Sequence, residues 1–485
     1  MTPEEIARAN QFREGFTLVD YAEVGLPVFR LTIEAVTTAQ RVLPTIHEFV
    51  MRCLALGETR EEVVARMLGL RTDVVVAAVN ALVGDGYVTR HANGLDLQSF
   101  GLTEAGEARL ALERMEVPQE EMLVIDYDGI RRVPIRLAGT SVLRSAELRT
   151  AGALEIRPYP AEPPSIESLA IPDVTRVIRR QGGEDFKRTV LALKRIVRRN
   201  NVYREAVALV FSADHGTEVQ VAFAIDGKLS EHHERAFAEH GGPKKMGFLK
   251  ALGQTDTTRQ LERFIGKQTI RSYPSKTELR SLREAEAEAE ATIRETAPVA
   301  ERGGKASPAK VTVSSAKDSL DLAIRQLAAY PVRPLECYEQ QFLLVEAMEK
   351  AQSRLFVTTN GIQPALFHGF LLRQVDRLLE EGVAVQIERQ PSSSEQARDD
   401  SRYDPVKELQ KRKHRGTPVL TTGLKRPLYF LVKDTDLAVV SNRPFFGEPF
   451  RRSSFMFISG IVVRSPESVE AIYQKVIETP ARKRD

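Results

Sequence analysis

Residues Thr72–Leu110, TDVVVAAVNALVGDGYVTRHANGLDLQSFGLTEAGEARL, decide how the N-terminal part of the chain folds. Thr72 is a good N-cap for the apolar run that continues through Leu82. Gly84–Asp85–Gly86 ends that run. Tyr87–His91 and Leu95–Phe100 alternate as strands do around Asn93–Gly94, which predicts a hairpin. LTEAGEARLALE predicts a closing helix. Working outward toward the N-terminus, Pro44–Leu56 has helical spacing, and Thr59 with Glu62 predicts a capping box that opens a second helix, EEVVARMLG. Gly69–Leu70 turns the chain from the second helix into the third.

Around this stretch, composition narrows the class. The chain has 485 residues, 42% hydrophobic and 28% charged, which is globular composition with length for about three domains. Its two cysteines, Cys53 and Cys337, are too far apart in sequence to frame a disulfide scaffold or a metal knuckle, so the expectation is a reducing cytoplasm. MTPEEIARAN at the N-terminus is acidic and lacks an apolar core, so no signal peptide is expected. The longest apolar stretches, such as Phe455–Val463, are too short to span a bilayer, so no membrane partner is expected. The net charge of +3 is unevenly spread: residues 1–120 carry −7, residues 121–316 carry +6 and residues 317–485 carry +4. A phosphate-binding surface is therefore expected in the middle or C-terminal part.

The expected fold class is multidomain α/β and α+β. An N-terminal winged-helix domain is expected over 1–118, with its core at about 44–115. A mixed α+β middle domain with a basic helix follows over 119–279. A Glu/Ala helix and flexible linker span 280–317, and an α/β domain closes the chain over 318–485. The linker rests on REAEAEAEATIRE, which has no apolar stripe and predicts a solvated helix, and on ERGGKASPAKVTVSSAK, a Gly/Ser/Pro/Lys tether. RPYPAEPPSIESLAIP (Arg157–Pro172) reads as an extended surface loop.

Three helices and a hairpin in the order found over 44–115 resemble a winged helix-turn-helix domain, and GLTEAGEARL is similar to the segment that commonly follows its wing. That resemblance implies a third helix able to enter the major groove, where Arg, Lys, Asn and Gln read bases. Asn80 is the base reader on that helix. Arg71 precedes it, and Arg90 and His91 lie on the wing. Asp73 repels phosphates, and the Val-rich helix suits protein contact or dimerisation equally well, so both uses stay open.

In the middle region, EMLVIDYDGIRRVPIRL predicts strands, and AVALVFSA with VQVAFAID predicts a hairpin across Asp214–Glu218. Between Arg176 and Arg204 stand ten Lys and Arg against two acids. Phe186, Val190, Leu193 and Val197 recur at helical spacing, flanked by Lys187, Arg188, Lys194, Arg195, Arg198 and Arg199. The pattern predicts an amphipathic basic helix that follows a nucleic-acid backbone, or else a solvated helix whose arginines pair with carboxylates. Half of the eight histidines, His215, His232, His233 and His240, fall in one stretch, but with no His-x3-His or HExxH spacing, so no metal site and no cofactor are expected.

From Leu335 onward helices and strands alternate. The helix ending in EEGVAVQIE, followed by LYFLVKDTDLAVVSN and FMFISGIVV, resembles the phospholipase D-like phosphodiesterase superfamily over about 150 residues. That resemblance implies a His nucleophile, a Lys two residues later and an Asp five beyond. Here the motif positions hold Pro427, Tyr429 and Asp434, and no His-x-Lys occurs anywhere in the chain. Counting from Asp436 instead gives Tyr429 and Leu431. The Gly-Ser-x-Asn that usually follows is reduced to Ser441–Asn442. Attack on phosphorus needs the imidazole, so the domain is expected to be catalytically inert, with His414 a poor replacement.

The two resemblances together imply a cytoplasmic, non-catalytic subunit of a prokaryotic anti-phage defence or DNA-processing assembly, engaging nucleic acid (DNA ahead of RNA) and other subunits or a second copy. The same pair of modules resembles the architecture of archaeal sugar-responsive transcription regulators, in which the inert domain senses a ligand or dimerises. A nuclease with an unrecognised site in the middle domain is the third possibility.

Overall fold

The computed structural model describes the chain outside residues 42, 94–96, 112–114, 138–141, 182–188, 246–256, 268–269, 271–272, 303–307, 365, 391–403, 448–454, 456 and 479–485. In chain order its principal elements are α1 (Pro3–Ala9), β1 (Phe16–Arg41), α2 (Thr45–Ala55), α3 (Glu61–Leu68), α4 (Thr72–Gly84), β2 (Val88–Asn93), β3 (Leu97–Leu102), α5 (Glu104–Ala111) and β4 (Met115–Asp128). Then come α6 (Ile171–Gln181), β5 (Val190–Ala213), β6 (Val219–Ile225), α7 (Glu231–Glu239), α8 (Lys276–Arg302) and α9 (Pro308–Ala329). The C-terminal part contains β7 (Val332–Pro334), α10 (Glu339–Lys350), β8 (Arg354–Thr359), α11 (Gly369–Glu380), β9 (Ala384–Arg389), β10 (Leu420–Thr422), β11 (Tyr429–Lys433), β12 (Leu437–Ser441), β13 (Gly460–Val463) and α12 (Pro466–Glu478). The architecture is mixed α+β. The chain packs into two compact units: Met1–Pro27, Thr140–Ala161 and Val202–Asp485 form one, and Val28–Gly139 with Glu162–Asn201 forms the other.

In the second unit, α2 to α5 and the β2–β3 hairpin follow the order read from residues 44–115, but the cap of α4 is Arg71, with no side-chain capping bond, in place of the expected Thr72, and the expected turn residue Gly94 lies outside the described residues. Val50, Met51, Leu54, Val64, Val75, Val79, Leu82, Val88 and Phe100 form their common core. Gly69 ends α3 at φ 64°, a left-handed cap that suits glycine, and the Leu70 N–H donates back to the Ala65 carbonyl at 2.9 Å. At Gly106 a Cβ would come within 2.1 Å of the Tyr87 carbonyl oxygen, so only glycine lets α5 seat against the start of the hairpin. The expected capping box at Thr59 does not form. Arg60 is the cap residue, and the Thr59 carbonyl instead accepts the Phe100 N–H at 3.0 Å. Beside this module β1 and β4 pair antiparallel from Val28↔Asp128 to Arg41↔Met115. Leu31, Ile33, Leu123 and Ile125 on their inner face meet Val174 and Ile178 of α6, while Met122 and Val124 on the outer face stay exposed.

The expected basic helix is a strand. β5 begins at Val190, and its entry is pinned to β1 by the Thr38 N–H donating to the Thr189 carbonyl at 2.9 Å and the Thr189 N–H donating to Thr38 Oγ1 at 3.0 Å. Val190, Leu193 and Ile196 all pack on the unit's core. Their spacing of three imitates a helix, whereas the pairing that fixes the strand comes from residues about 150 positions away.

The other unit contains a seven-stranded sheet in the order β7–β13–β12–β11–β8–β9–β10, parallel across β8, β9 and β10 and antiparallel elsewhere. α10 and α11 cover one face through Leu344, Met348, Leu371, Val375 and Leu378, and α12 covers the other through Val469, Ile472 and Val476. β5 and β6 pair antiparallel from Val207↔Ala224 to Ser212↔Val219, as the expected hairpin.

The expected Glu/Ala helix lies within α8, but it packs on a second long helix, α9, instead of standing in solvent. Residues 308–317 of the tether belong to α9, which buries Ala316, Ala323 and Leu327; residues 303–307 lie outside the described residues. α8 buries Leu279, Arg283, Glu286 and Ala289 along one face, so that face sets two charged side chains among small and apolar ones. Arg283 donates to Tyr338 Oη at 2.8 Å and to Glu339 Oε2 at 3.1 Å. The same carboxylate oxygen takes Arg333 at 2.8 Å and the Glu336 N–H at 2.9 Å. Tyr338 Oη passes the chain of bonds on to Gln11 Oε1 at 2.8 Å.

Burial alone would raise the Glu339 carboxyl, but Arg283 and Arg333 outweigh it and hold it at about 2. That lies below the ~4.3 of an unfolded glutamate. The stability it contributes is full above that range and lost as the pH falls from there through about 2. Glu339→Gln leaves two buried guanidinium groups short of a counter-charge and is expected to destabilise this unit by about 3–5 kcal/mol. It should also flatten the acid limb between about pH 4 and 2, as read by urea unfolding at a series of pH values.

Candidate nucleic-acid interface

The sequence-predicted binding residues between 71 and 199 belong to the second unit, and those that are described fall into two groups. Arg71 is neutralised locally: its guanidinium forms a two-armed contact to Asp73, at 2.8 and 3.0 Å, just ahead of α4. Asn80 and Arg90, ten residues apart, are brought together. Asn80 stands on the exposed side of α4, Arg90 on the hairpin strand β2, and the Arg90 guanidinium donates to the Asn80 side-chain oxygen. The Arg90 guanidinium also lies over the Phe100 ring at 5.8 Å, which fixes its stem on the wing. His91 is exposed on the same strand.

The strand β5 cations form the second group. Lys194 pairs with Glu120 of β4, and Arg195 donates to Glu34 of β1 at 2.7 Å. That bond holds the Glu34 carboxyl below the ordinary carboxylate range. Two of the expected phosphate contacts are thus engaged with carboxylates across the sheet. Arg198 and Arg199 are exposed, with Arg198 donating to Asn200 Oδ1 at 3.2 Å. Lys187 and Arg188 lie outside the described residues.

A third group was not singled out from the sequence. Arg176, Arg179 and Arg180 of α6 line a groove of ≈ 490 Å³ together with Thr175 and Thr189. Their i, i+3, i+4 spacing was visible, but only the burial of Val174, Val177 and Ile178 shows which side of the helix they occupy.

In the first unit the three motif positions of the C-terminal sheet each have their own surroundings. Pro427 precedes β11. Tyr429 is fully buried, its hydroxyl has no hydrogen-bond partner, and burial pushes it up to about 12. Asp434 sits beyond the far end of β11 with φ 45°, accepting from the Gln352, Ser353 and Arg354 N–H groups and from Ser353 Oγ. Burial raises its carboxyl, but those donors outweigh it and set it below the usual range. Ser441 Oγ donates to Gln340 Oε1 at 2.9 Å, and Asn442 is bonded to the backbone of Phe457 and Ser459. Both brace the end of β12. His414 lies on a short hairpin with Thr417.

The grouped histidines are also dispersed. His233 is buried on α7 with Nδ1 2.7 Å from Ser230 Oγ, and His240 packs on the Tyr159 ring at 5.2 Å. Among the described residues no three His, Cys, Asp or Glu side chains are placed to hold a metal ion, and no single helix is long and apolar enough to cross a membrane.

No family profile matches the chain, and no curated protein does. Among solved structures it is similar to TrmBL2, an archaeal chromatin protein described as showing a novel mode of DNA binding, over 51% of this chain and 80% of that one, at 15% identity and a TM-score of 0.22. It is also similar to a phosphatidylserine synthase of Haemophilus influenzae Rd KW20, over 36% of this chain and 46% of that one, at 12% identity and a TM-score of 0.19.

The cross-sheet pairs set a testable expectation. Glu34→Gln with Glu120→Gln releases Arg195 and Lys194, so the variant should elute from immobilised heparin at higher salt than the parent. Exposed pairs of this kind contribute about 0–1 kcal/mol, so its unfolding midpoint should barely move.

Proposed function

We propose that the protein is a non-catalytic, nucleic-acid-binding adaptor subunit of a prokaryotic assembly, of the anti-phage defence or DNA-processing kind, with its winged-helix module on duplex DNA. The observation that carries this reading is the juxtaposition of Asn80 on α4 with Arg90 on the wing. An exposed amide and guanidinium side by side are the groups that read adenine and guanine edges in a groove wide enough to admit a helix. Duplex DNA offers that groove, whereas the deep major groove of RNA does not. The phospholipase D-like domain then serves as scaffold: Pro427 and Tyr429 supply neither a nucleophile nor a phosphate clamp.

A second reading, a transcription regulator whose phospholipase D-like domain senses a ligand or dimerises, is favoured by Arg443. Its Nη1 is buried without a hydrogen-bond partner, and its guanidinium lies 5.1 Å from the Tyr21 ring centre. A buried cation short of an acceptor is the kind of group an anionic ligand satisfies.

Two measurements test the proposal. With no tryptophan in the chain, bound nucleic acid dominates the absorbance at 260 nm, so material purified at low salt should carry DNA that high salt removes. Asn80→Ala and Arg90→Ala should each weaken duplex binding by about 1–3 kcal/mol at preferred sequences and leave folding intact. The purified protein should not hydrolyse a generic phosphodiester. Turnover abolished by His414→Ala would overturn the adaptor reading, and binding confined to one operator would favour the regulator.

A further inference from the structure

We propose that the exposed face of α2 is a homodimer interface, at which two copies of the chain pair their α2 helices antiparallel about a two-fold axis. Val50, Met51, Cys53 and Leu54 turn into the core of the second unit, which fixes the rotation of α2. The outer side carries Phe49, 50% exposed, and Leu56, 78% exposed, with Ile46 at 39% beside them. At about 100° per residue, Phe49 and Leu56 lie within about 20° of each other around the helix, so they form one stripe. Single exposed apolar side chains are ordinary, whereas bulky ones grouped on one helix face mark a contact surface.

The charges beside the stripe select the occupant. Glu48 and Arg52, four residues apart, share one flank of it. Arg52 Nε, at 3.1 Å, and Nη2, at 2.7 Å, both donate to the same oxygen, Glu48 Oε1. Glu48 Oε2 and Arg52 Nη1 make no hydrogen bond among the described residues. A two-fold axis lying in the interface, at right angles to the helices, keeps each flank on its own side. Placed between residues 50 and 51, it sets Arg52 of one copy within about 1.5 Å, along the helix, of Glu48 in the second. It brings Leu56 equally close to Ile46 of the second copy, and the two Phe49 rings flank the axis about 4.5 Å apart along the helix. The spare oxygen and nitrogen of each pair then meet those of the other, which closes a ring of four alternating charges around an apolar centre. The same patch serves both copies, as a two-fold interface requires, and a foreign partner would have to supply its own acid and base at this spacing. One eleven-residue helix from each copy offers less than the roughly 1,200 Å² of a standard interface, so the dimer is expected to be reversible and micromolar. The stripe contains neither Asn80 nor Arg90, so the pairing stands apart from the nucleic-acid reading.

The test is sedimentation velocity on the full chain, without nucleic acid, at a series of concentrations up to about 100 µM, where a monomer–dimer equilibrium is expected. Phe49→Glu/Leu56→Glu should raise the dissociation constant by more than about tenfold and leave the unfolding midpoint in place, because both side chains are exposed. Glu48→Arg and Arg52→Glu, each alone, set like charges across the axis and should also shift the chain to monomer. The double exchange Glu48→Arg/Arg52→Glu rebuilds the ring with its signs reversed and should restore the dimer. A role confined to the stability of α2 would instead move the unfolding midpoint and leave the sedimenting mass alone. A dimer untouched by Phe49→Glu/Leu56→Glu overturns the assignment to α2. Single charge variants that dissociate without rescue by the double exchange overturn the antiparallel register. A parent that stays monomeric throughout overturns self-pairing and leaves the face to a different protein.

Discussion

One carboxylate organises the larger unit. Glu339 Oε2 accepts from Arg283, Arg333 and the Glu336 backbone, and so ties α8, β7 and the start of α10 to a single atom. Charges this deep are tolerated only when paired and hydrogen-bonded, and removing one partner costs far more than the pair contributes. The consequence spreads through Tyr338, which stands between Arg283 and Gln11 and brings the N-terminal segment into the same network. Arg8 extends it along α8 by pairing with Glu286 and Glu290. Arg443 and Tyr21 lie at its margin, where burial pushes the Tyr21 hydroxyl far above its usual range. A helix that looks solvated by composition is thereby held in place by its polar residues.

What the sequence disclosed follows from the range of the forces involved. The module of three helices and a hairpin was legible because its determinants are local: Gly69 in a left-handed cap, Thr103 accepting the Gly106 N–H, and an apolar set that closes on itself within about sixty residues. β5 was not legible. Val190, Leu193 and Ile196 repeat every three residues, and only pairing with β1 reveals an extended strand. α8 misled for a related reason, since a buried arginine and a buried glutamate look solvated until their partners, more than fifty residues away, are known.

The candidate site divides along the same line. The kinds of residue were readable, but their availability was not. Arg71, Lys194 and Arg195 are as basic in sequence as Arg90 or Arg180, yet Asp73, Glu120 and Glu34 occupy them. Two of those three carboxylates belong to strands remote in sequence. The α6 arginines passed unnoticed because their side of the helix is defined only by what Val174, Val177 and Ile178 bury against.

Asp434 shows how much backbone one carboxylate can hold. Its carboxylate gathers three backbone N–H groups and one hydroxyl at the entry of β8, in a turn whose φ of 45° few residues adopt. Positions 427 and 429 have no comparable duty: one is a proline ahead of a strand, the other an aromatic ring filling a core. An acidic residue spent in this way is a knot in the backbone, its place set by the turn it ties together.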